Sequence, residues 1–272
     1  MPRALDHLVM PGHDLDAQAE LYTRLGFQVG PRNRHPWGTV NHIVQFDGAF
    51  LELIALGPGF SAPETAPKEF SFARFVERYL QSREGVAMLV ARSANAERDR
   101  VEFARLGIGD FSRFDFARQG QRPNGEPVNV AFSLAFAASP AWTETGFMVC
   151  QQHYPENFWS AAAQVHPNEA RGVAELTYEH PRPVEGREFL RRFLDAEPQA
   201  TADGYVFALE NTRLRVRSGE AGGLTGVTLR VGDLATCRRA LQAGGVVYEE
   251  RGGALVVPPK VAMGVRLAFQ RA

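Results

Sequence analysis

The stretch Leu5-Asp6-His7-Leu8-Val9-Met10-Pro11-Gly12-His13-Asp14-Leu15, running on through Ala19, Tyr22 and Leu25 to Gly26, decides the fold. Residues 5–10 form a short apolar run that reads as a strand. Asp14 is placed to accept hydrogen bonds from the free amides of a first helical turn. Leu15, Ala19, Tyr22 and Leu25 then recur at helical spacing, and Gly26 stands where a helix stops. Strand-like runs follow at 27–29, 39–46 and 50–56. The unit is strand, helix, strand, strand, strand.

The same order returns three times. A second unit has a strand at 85–91, a helix capped by Ser93 that carries Val101, Phe103 and Leu106 into Gly107, and strands at 111–116, 128–137 and 146–151. A third has a strand at 172–178, a helix carrying Phe189, Leu190, Phe193 and Leu194, and strands at 205–209 and 214–216. A fourth begins with 224–231, enters a helix at Asp233-Leu234 and leaves it at Gly244-Gly245, with strands at 246–248, 254–257 and 265–269. Asp and Gly bracket the first and fourth helices twelve residues apart in both. Residues 56–67 form a Gly- and Pro-rich loop leading to an amphipathic segment at 70–80, and 118–127 reads as a polar turn. Residues 152–171 are irregular and aromatic, a natural boundary between two halves. The expected organisation is a first half at 1–152 (modules about 5–57 and 85–152), a connector at 153–171, and a second half at 172–272 (modules about 172–217 and 224–270).

The bulk properties narrow the function classes. The chain has 272 residues, 44% hydrophobic and 22% charged, enough to fold without disulfide or metal staples. Its formal net charge of -1 gives no electrostatic case for nucleic acid or an anionic membrane. Two cysteines, Cys150 and Cys237, build no disulfide framework. The sequence shows no secretory signal and no apolar run long enough to span a bilayer, so a cytoplasmic protein is expected. No phosphate loop, dinucleotide fingerprint or Gly-x-Ser-x-Gly elbow is present.

Three segments carry a resemblance. They are Leu5-Asp6-His7-Leu8-Val9-Met10 before Asp14-Leu15, Trp37-Gly38-Thr39-Val40-Asn41 leading into Phe50-Leu51-Glu52-Leu53-Ile54, and Cys150-Gln151-Gln152-His153-Tyr154-Pro155-Glu156-Asn157-Phe158-Trp159. In these the chain resembles the vicinal oxygen chelate superfamily, and within it the glyoxalase-like domain proteins. The resemblance implies an α+β fold of four βαβββ modules paired into two half-barrels, each with a concave cup. It also implies a divalent metal held by a His on the first strand and a Glu on the last strand of a module, with further ligands from the partner module. The activities it brings are those of isomerases, lyases and dioxygenases, with metal-free drug-binding relatives such as bleomycin-resistance proteins, and a homodimer is a further implication.

Residue by residue, His7 and Glu52 match the ligand positions. In the second module the matching residues are Met88 (or Ala87) and one of Val149 to Gln151; in the third they are Ala174 and Arg215, and in the fourth Gly226 and Ala268. Strand parity agrees with the pair: His7 shares a face with Leu5 and Val9, and Glu52 shares one with Phe50 and Ile54. An ionisable group on an apolar face is costly unless paired, hydrogen-bonded or metal-bound. Gln151 and His153 are the further candidate ligands, and His153 and Glu52 the candidate acid–base groups. Asn41 and Gln45 share a cup-facing side and are expected to orient substrate, with Trp37, Tyr154 and Trp159 as aromatic contacts; His42 belongs to the helix side. A Cys150 nucleophile beside His153 is a weaker reading. Arg32 and Arg34 beside His35 could steer an anion.

Two functions stay open. One is a divalent-metal enzyme (zinc, iron, manganese or nickel) acting on a small oxygenated substrate in the first-half cup. The other is a metal-free small-molecule binding protein.

Overall fold

Local chemistry sets the helix boundaries. In this computed structural model, which describes residues 1–62, 64–121 and 126–272, the Asp14 carboxylate accepts from the amides of Asp16 and Ala17, and Asp233 does the same for Ala235 and Thr236. Gly26, Gly107 and Gly245 take φ of 84°, 68° and 64°, the left-handed geometry that lets a helix end and the chain turn back. The second module departs from expectation at its cap. Asn95, not Ser93, caps the helix, while the Ser93 hydroxyl accepts from the Asn95 amide.

The first module comprises β1 (Leu5–Pro11), α1 (Leu15–Arg24), β2 (Asn33–Arg34), β3 (Thr39–Phe46) and β4 (Ala49–Leu56), and α2 (Phe72–Leu80) follows it. The second comprises β5 (Met88–Arg92), α3 (Ala96–Arg105), β6 (Phe114–Gln121), β7 (Pro127–Ala137) and β8 (Gly146–Gln152), followed by the short α4 (Pro155–Phe158). The third holds β9 (Ala170–His180), α5 (Arg187–Leu194), β10 (Pro198–Thr201), β11 (Gly204–Ala208) and β12 (Arg213–Ser218). The fourth holds β13 (Gly223–Val231), α6 (Leu234–Ala243), β14 (Glu249–Arg251), β15 (Ala254–Val257) and β16 (Arg266–Arg271). Modules pair through their first strands. The sheet orders are β2-β3-β4-β1-β5-β8-β7-β6 and β10-β11-β12-β9-β13-β16-β15-β14, with β1/β5 and β9/β13 antiparallel at the two centres.

Several expected strands move. Residues 27–29 do not pair in the sheet, because the Phe27 amide bonds to Tyr22 O and the Gln28 amide donates to His166 Nδ1. The strand expected at 111–116 is Phe114–Gln121, and that at 246–248 is Glu249–Arg251. The turn expected over 118–127 therefore narrows, and its centre, like Pro63 of the 56–67 loop, lies outside the described residues.

The helix-side faces of both sheets share one apolar core. Phe27 meets Phe269 at 6.0 Å, Phe103 meets Phe193 at 5.8 Å, and Trp142 stacks on Tyr178 at 4.2 Å across the halves. Asn211 completes the join: its amide donates to Leu5 O (2.9 Å) and its oxygen accepts from Leu5 N (2.8 Å), standing in for a strand neighbour at the start of β1. A second apolar cluster fills the concave face of the first sheet, and α2 supplies Phe72, Phe75, Val76 and Tyr79 to it. The segment expected to be amphipathic thus plugs one end of the cup. No helix among the described residues is long and apolar enough to cross a membrane.

Candidate functional site

The polar end of the first cup is built on an irregularity in β1. Against β5, Leu5 pairs with Ala91 and His7 with Val90, so Asp6 is an extra residue. Such a bulge re-aims side chains. It brings Asp6 and His7, neighbours that strict alternation would set on opposite faces, into contact: His7 Nδ1 donates to Asp6 Oδ1 at 2.6 Å. Asp6 is wholly buried, and its other oxygen accepts from Gln152 Nε2 of β8 at 3.0 Å. With Nδ1 occupied, the Nε2 of His7 faces Glu52 Oε2 at 3.8 Å. The Phe50 ring stacks on the imidazole at 4.3 Å and fixes its plane.

Glu52, also buried, is held from the other side. Asn41 Nδ2 on β3 donates to Glu52 Oε1 at 2.5 Å, and Asn33 Nδ2 donates to Asn41 Oδ1 at 3.1 Å. His35 Nε2 stands 3.6 Å from Glu52 Oε1, its Nδ1 bonded to Thr39 Oγ1 at 2.8 Å and its ring stacked on Trp37 at 4.4 Å. Burial lowers the His35 pKa; the Glu52 charge opposes that, and Arg118 and His7 add to it. His35 is therefore a neutral hydrogen-bonding ring near neutral pH.

The opposite end of the cup is apolar, and strand register explains why. Val9 pairs with Met88 across the centre and with Glu52 beside it, whereas Val90 pairs with His7 across the centre and with Met148 beside it. By the pseudo-twofold axis the partners of His7 and Glu52 are Met88 and Met148. The Glu52 counterpart expected at 149–151 is thus one residue earlier. In the second sheet the same register gives Gly226 with Ala268 and Glu175 with Arg215. Glu175 replaces the expected Ala174, and its carboxylate accepts from Arg215 at 3.1 and 3.2 Å. That cup closes its ligand positions with an internal ion pair. Between the polar and apolar ends of the first cup lies a cavity of about 50 Å3, room for a few waters.

The remaining sequence candidates scatter. Gln151 is not in the cup: parity along β8 turns Cys150 inward and Gln151 outward, where its oxygen accepts from the Ala96 amide at the start of α3. His153 is likewise outside, exposed and bonded to Ser133 Oγ at 2.8 Å. Both corrections have one cause, a face assigned from proximity in sequence instead of strand alternation. Among the described residues no group of three His, Cys, Asp or Glu side chains is placed to hold an ion. Gln45 faces the cup side but is committed: Nε2 donates to Phe158 O (2.8 Å) and Oε1 accepts from Ser160 N (3.0 Å), pinning the connector. Trp37 lines the cup; Tyr154 is 45% exposed, and Trp159 lines an outer groove with Arg92 while touching Phe50 edge-on at 5.9 Å. His42 sits on the helix side, bonded to Gly30 O at 2.7 Å. Cys150 does line the cavity, but burial, with Asp6 and Glu52 adding, pushes its thiol well up and leaves no thiolate nucleophile. Arg32 pairs with Asp16 at 2.8 Å on the surface.

Sequence reasoning did not single out Phe116, Arg118 and Phe132, which also line the cavity. The alternation Phe114, Phe116, Arg118 on β6 was the available signal.

The comparisons agree with this architecture. The glyoxalase-like domain family matches residues 5–194. No curated protein sequence matches. Among solved structures the chain is similar to a hypothetical protein from Staphylococcus aureus (10% identity, 99% of each chain covered, TM-score 0.73). It is also similar to a mutant of 4-hydroxymandelate synthase from Streptomyces coelicolor (10% identity, 100% of this chain and 94% of that chain, TM-score 0.61). A third likeness is to the Mn(II)-bound glyoxalase from Novosphingobium aromaticivorans (10% identity, 99% of this chain and 82% of that chain, TM-score 0.55). At these identities the likeness concerns the fold. The chain belongs to the glyoxalase-like domain family, and with it to the vicinal oxygen chelate superfamily.

Proposed function

We propose that the chain is a divalent-metal-dependent enzyme acting on a small oxygenated substrate in the first-half cup. The observation that carries this is the orientation of His7: a buried carboxylate holds Nδ1 and directs Nε2 towards Glu52 at 3.8 Å. A His held by a carboxylate through its other nitrogen is the usual outer-shell arrangement of metal-ligating imidazoles. His7 and Glu52 are the two donors the protein would supply to an ion there, and its other positions would fall to water and substrate oxygens. An ion bound there would supply Lewis acidity to a substrate carbonyl or lower the pKa of water.

The chain's own residues do the rest. Asn41 fixes one Glu52 oxygen. Neutral His35, beside Glu52, is placed to take or return a proton through Nε2. The apolar walls and α2 keep bulk water out and raise the worth of each polar contact. This chemistry suits a lyase, isomerase or dioxygenase. Turnover screens on those substrate classes with and without chelator test the reading; activity indifferent to chelator would sink it.

Met88 and Met148 favour a second reading, a metal-free binding protein, because they remove the partner module's donors. Tight ligand binding unchanged by chelator and by His7→Ala would support it.

A further inference from the structure

We propose that the groove outside Asp6 is a second ligand site, shaped for a small zwitterion: an α-amino acid with an apolar side chain. The proposal goes beyond the reading of the cup and does not depend on it. The groove measures about 470 Å3, within the range of small-molecule sites and far roomier than the cup. Strand ends supply its polar groups: Asp47 from the β3–β4 turn, Arg92 from β5 and Gln152 from β8, with Asp6 at the inner end. Asp6 borders the groove and His7 the cup, so the two spaces meet across the Asp6–His7 hydrogen bond.

Both charges of a zwitterion find an opposite charge here. Arg92 donates through Nη2 to Gly48 O at 2.6 Å, its one hydrogen bond among the described residues. The rest of the guanidinium is free for a carboxylate, which it matches in a planar, two-pronged contact. Asp47 immediately precedes Gly48, yet among the described residues its carboxylate makes no ion pair with Arg92 and accepts no hydrogen bond. The two opposite charges line one groove and stay apart, and an ammonium is the donor that Asp47 lacks. Gln152 adds a second acceptor: its Nε2 is spent on Asp6, while its Oε1 is buried without a partner. An acceptor left so is costly, and a donor entering from the groove relieves it. Trp159 forms the apolar wall. Its ring packs edge-on against Phe50 at 5.9 Å and Phe158 at 5.1 Å, and Gln45 pins the chain on both sides of it through Phe158 O and Ser160 N. The wall is thus fixed before a ligand arrives, and with Pro155 it suits a branched aliphatic side chain.

Isothermal titration of the full chain in EDTA tests this with L-leucine, 3-methylbutylamine (leucine without its carboxylate) and 4-methylpentanoate (leucine without its ammonium). EDTA leaves no ion in the cup for the amino acid to chelate. Each charge-assisted contact is worth about tenfold in affinity, so leucine should bind wild type about tenfold or more tighter than either analogue. Asp47→Asn should weaken leucine and the amine but not the carboxylate. Arg92→Gln should weaken leucine and the carboxylate but not the amine. If Arg92→Gln fails to fold for want of its bond to Gly48 O, Asp47→Asn decides, since the Asp47 side chain bonds to no described residue. An analogue that binds as tightly as leucine, leucine affinity indifferent to either substitution, or no leucine binding to wild type at millimolar concentration would overturn the proposal.

Discussion

Replacing Asp6 separates two consequences of its position. The carboxylate is wholly buried and accepts from two donors, His7 Nδ1 and Gln152 Nε2. In Asp6→Ala both lose their partner. A buried donor left unpaired costs about 1–3 kcal/mol, so the variant should lose about 2–6 kcal/mol. Asp6→Asn behaves differently. Its amide oxygen still accepts from His7, and its new N–H faces a glutamine whose Oε1 is buried without a partner. A rotation of the Gln152 amide pairs the two, so the loss should be about 1 kcal/mol. Urea unfolding followed by circular dichroism reads both numbers. Nitrogen-15 NMR of the His7 ring reads the tautomer, which should stay Nδ1–H in wild type and Asp6→Asn and become mixed in Asp6→Ala. Removing an outer-shell carboxylate of this kind lowers metal affinity about 10–100-fold, a drop expected for Asp6→Ala. An alanine variant within about 1 kcal/mol of wild type, or an asparagine variant as damaged as the alanine one, would refute the reasoning.

Other expectations rest on separate parts of the molecule. Asn211→Ala should cost about 2–6 kcal/mol, because both Leu5 backbone groups lose their partner at the join of the halves, and chemical denaturation would show it. Gly186→Ala places a Cβ 2.1 Å from the buried Trp142 ring and should destabilise by about 1–3 kcal/mol or more, visible as a lowered Tm. Burial lowers the pKa of His35 and His166 below the usual 6.5, and His166 also bonds Gln45 O through Nε2 while accepting from Gln28 N at Nδ1. Unfolding exposes rings that bind protons more readily, so stability is full above pH 6.5 and falls as the pH drops through the folded-state values. Urea midpoints at pH 7.5 and pH 5.5 should show that fall, and His166→Gln should flatten it.

What the sequence disclosed and withheld follows from the range of each interaction. The module was legible because its signals are local: an Asp cap, a run of helical spacing, a Gly with positive φ, as at Asp14 and Gly26. His7, Glu52, Asn41 and Gln45 could be placed on the cup side by alternation alone. The same alternation, applied along β8, would have turned Gln151 away from the cup. Met148 as the counterpart of Glu52 depends on a ladder register between strands more than fifty residues apart, which no single-strand pattern carries. The bulge at Asp6 is equally remote, since Asn211 of the other half occupies the Leu5 backbone next to it. His35 looked like a loop residue beside two arginines; its burial comes from Thr39 and Trp37 folding over it. The plug formed by α2 was readable as an amphipathic segment, but what it covers is a tertiary fact.

The central claim is that His7 and Glu52 hold a divalent ion. Metal content of tag-free protein by mass spectrometry, for wild type and for His7→Ala combined with Glu52→Gln, tests it most directly. The account predicts near-stoichiometric metal in wild type and none in the double variant. A wild-type protein that takes up no manganese, iron, nickel or zinc after incubation, or a double variant that retains its metal, would contradict it.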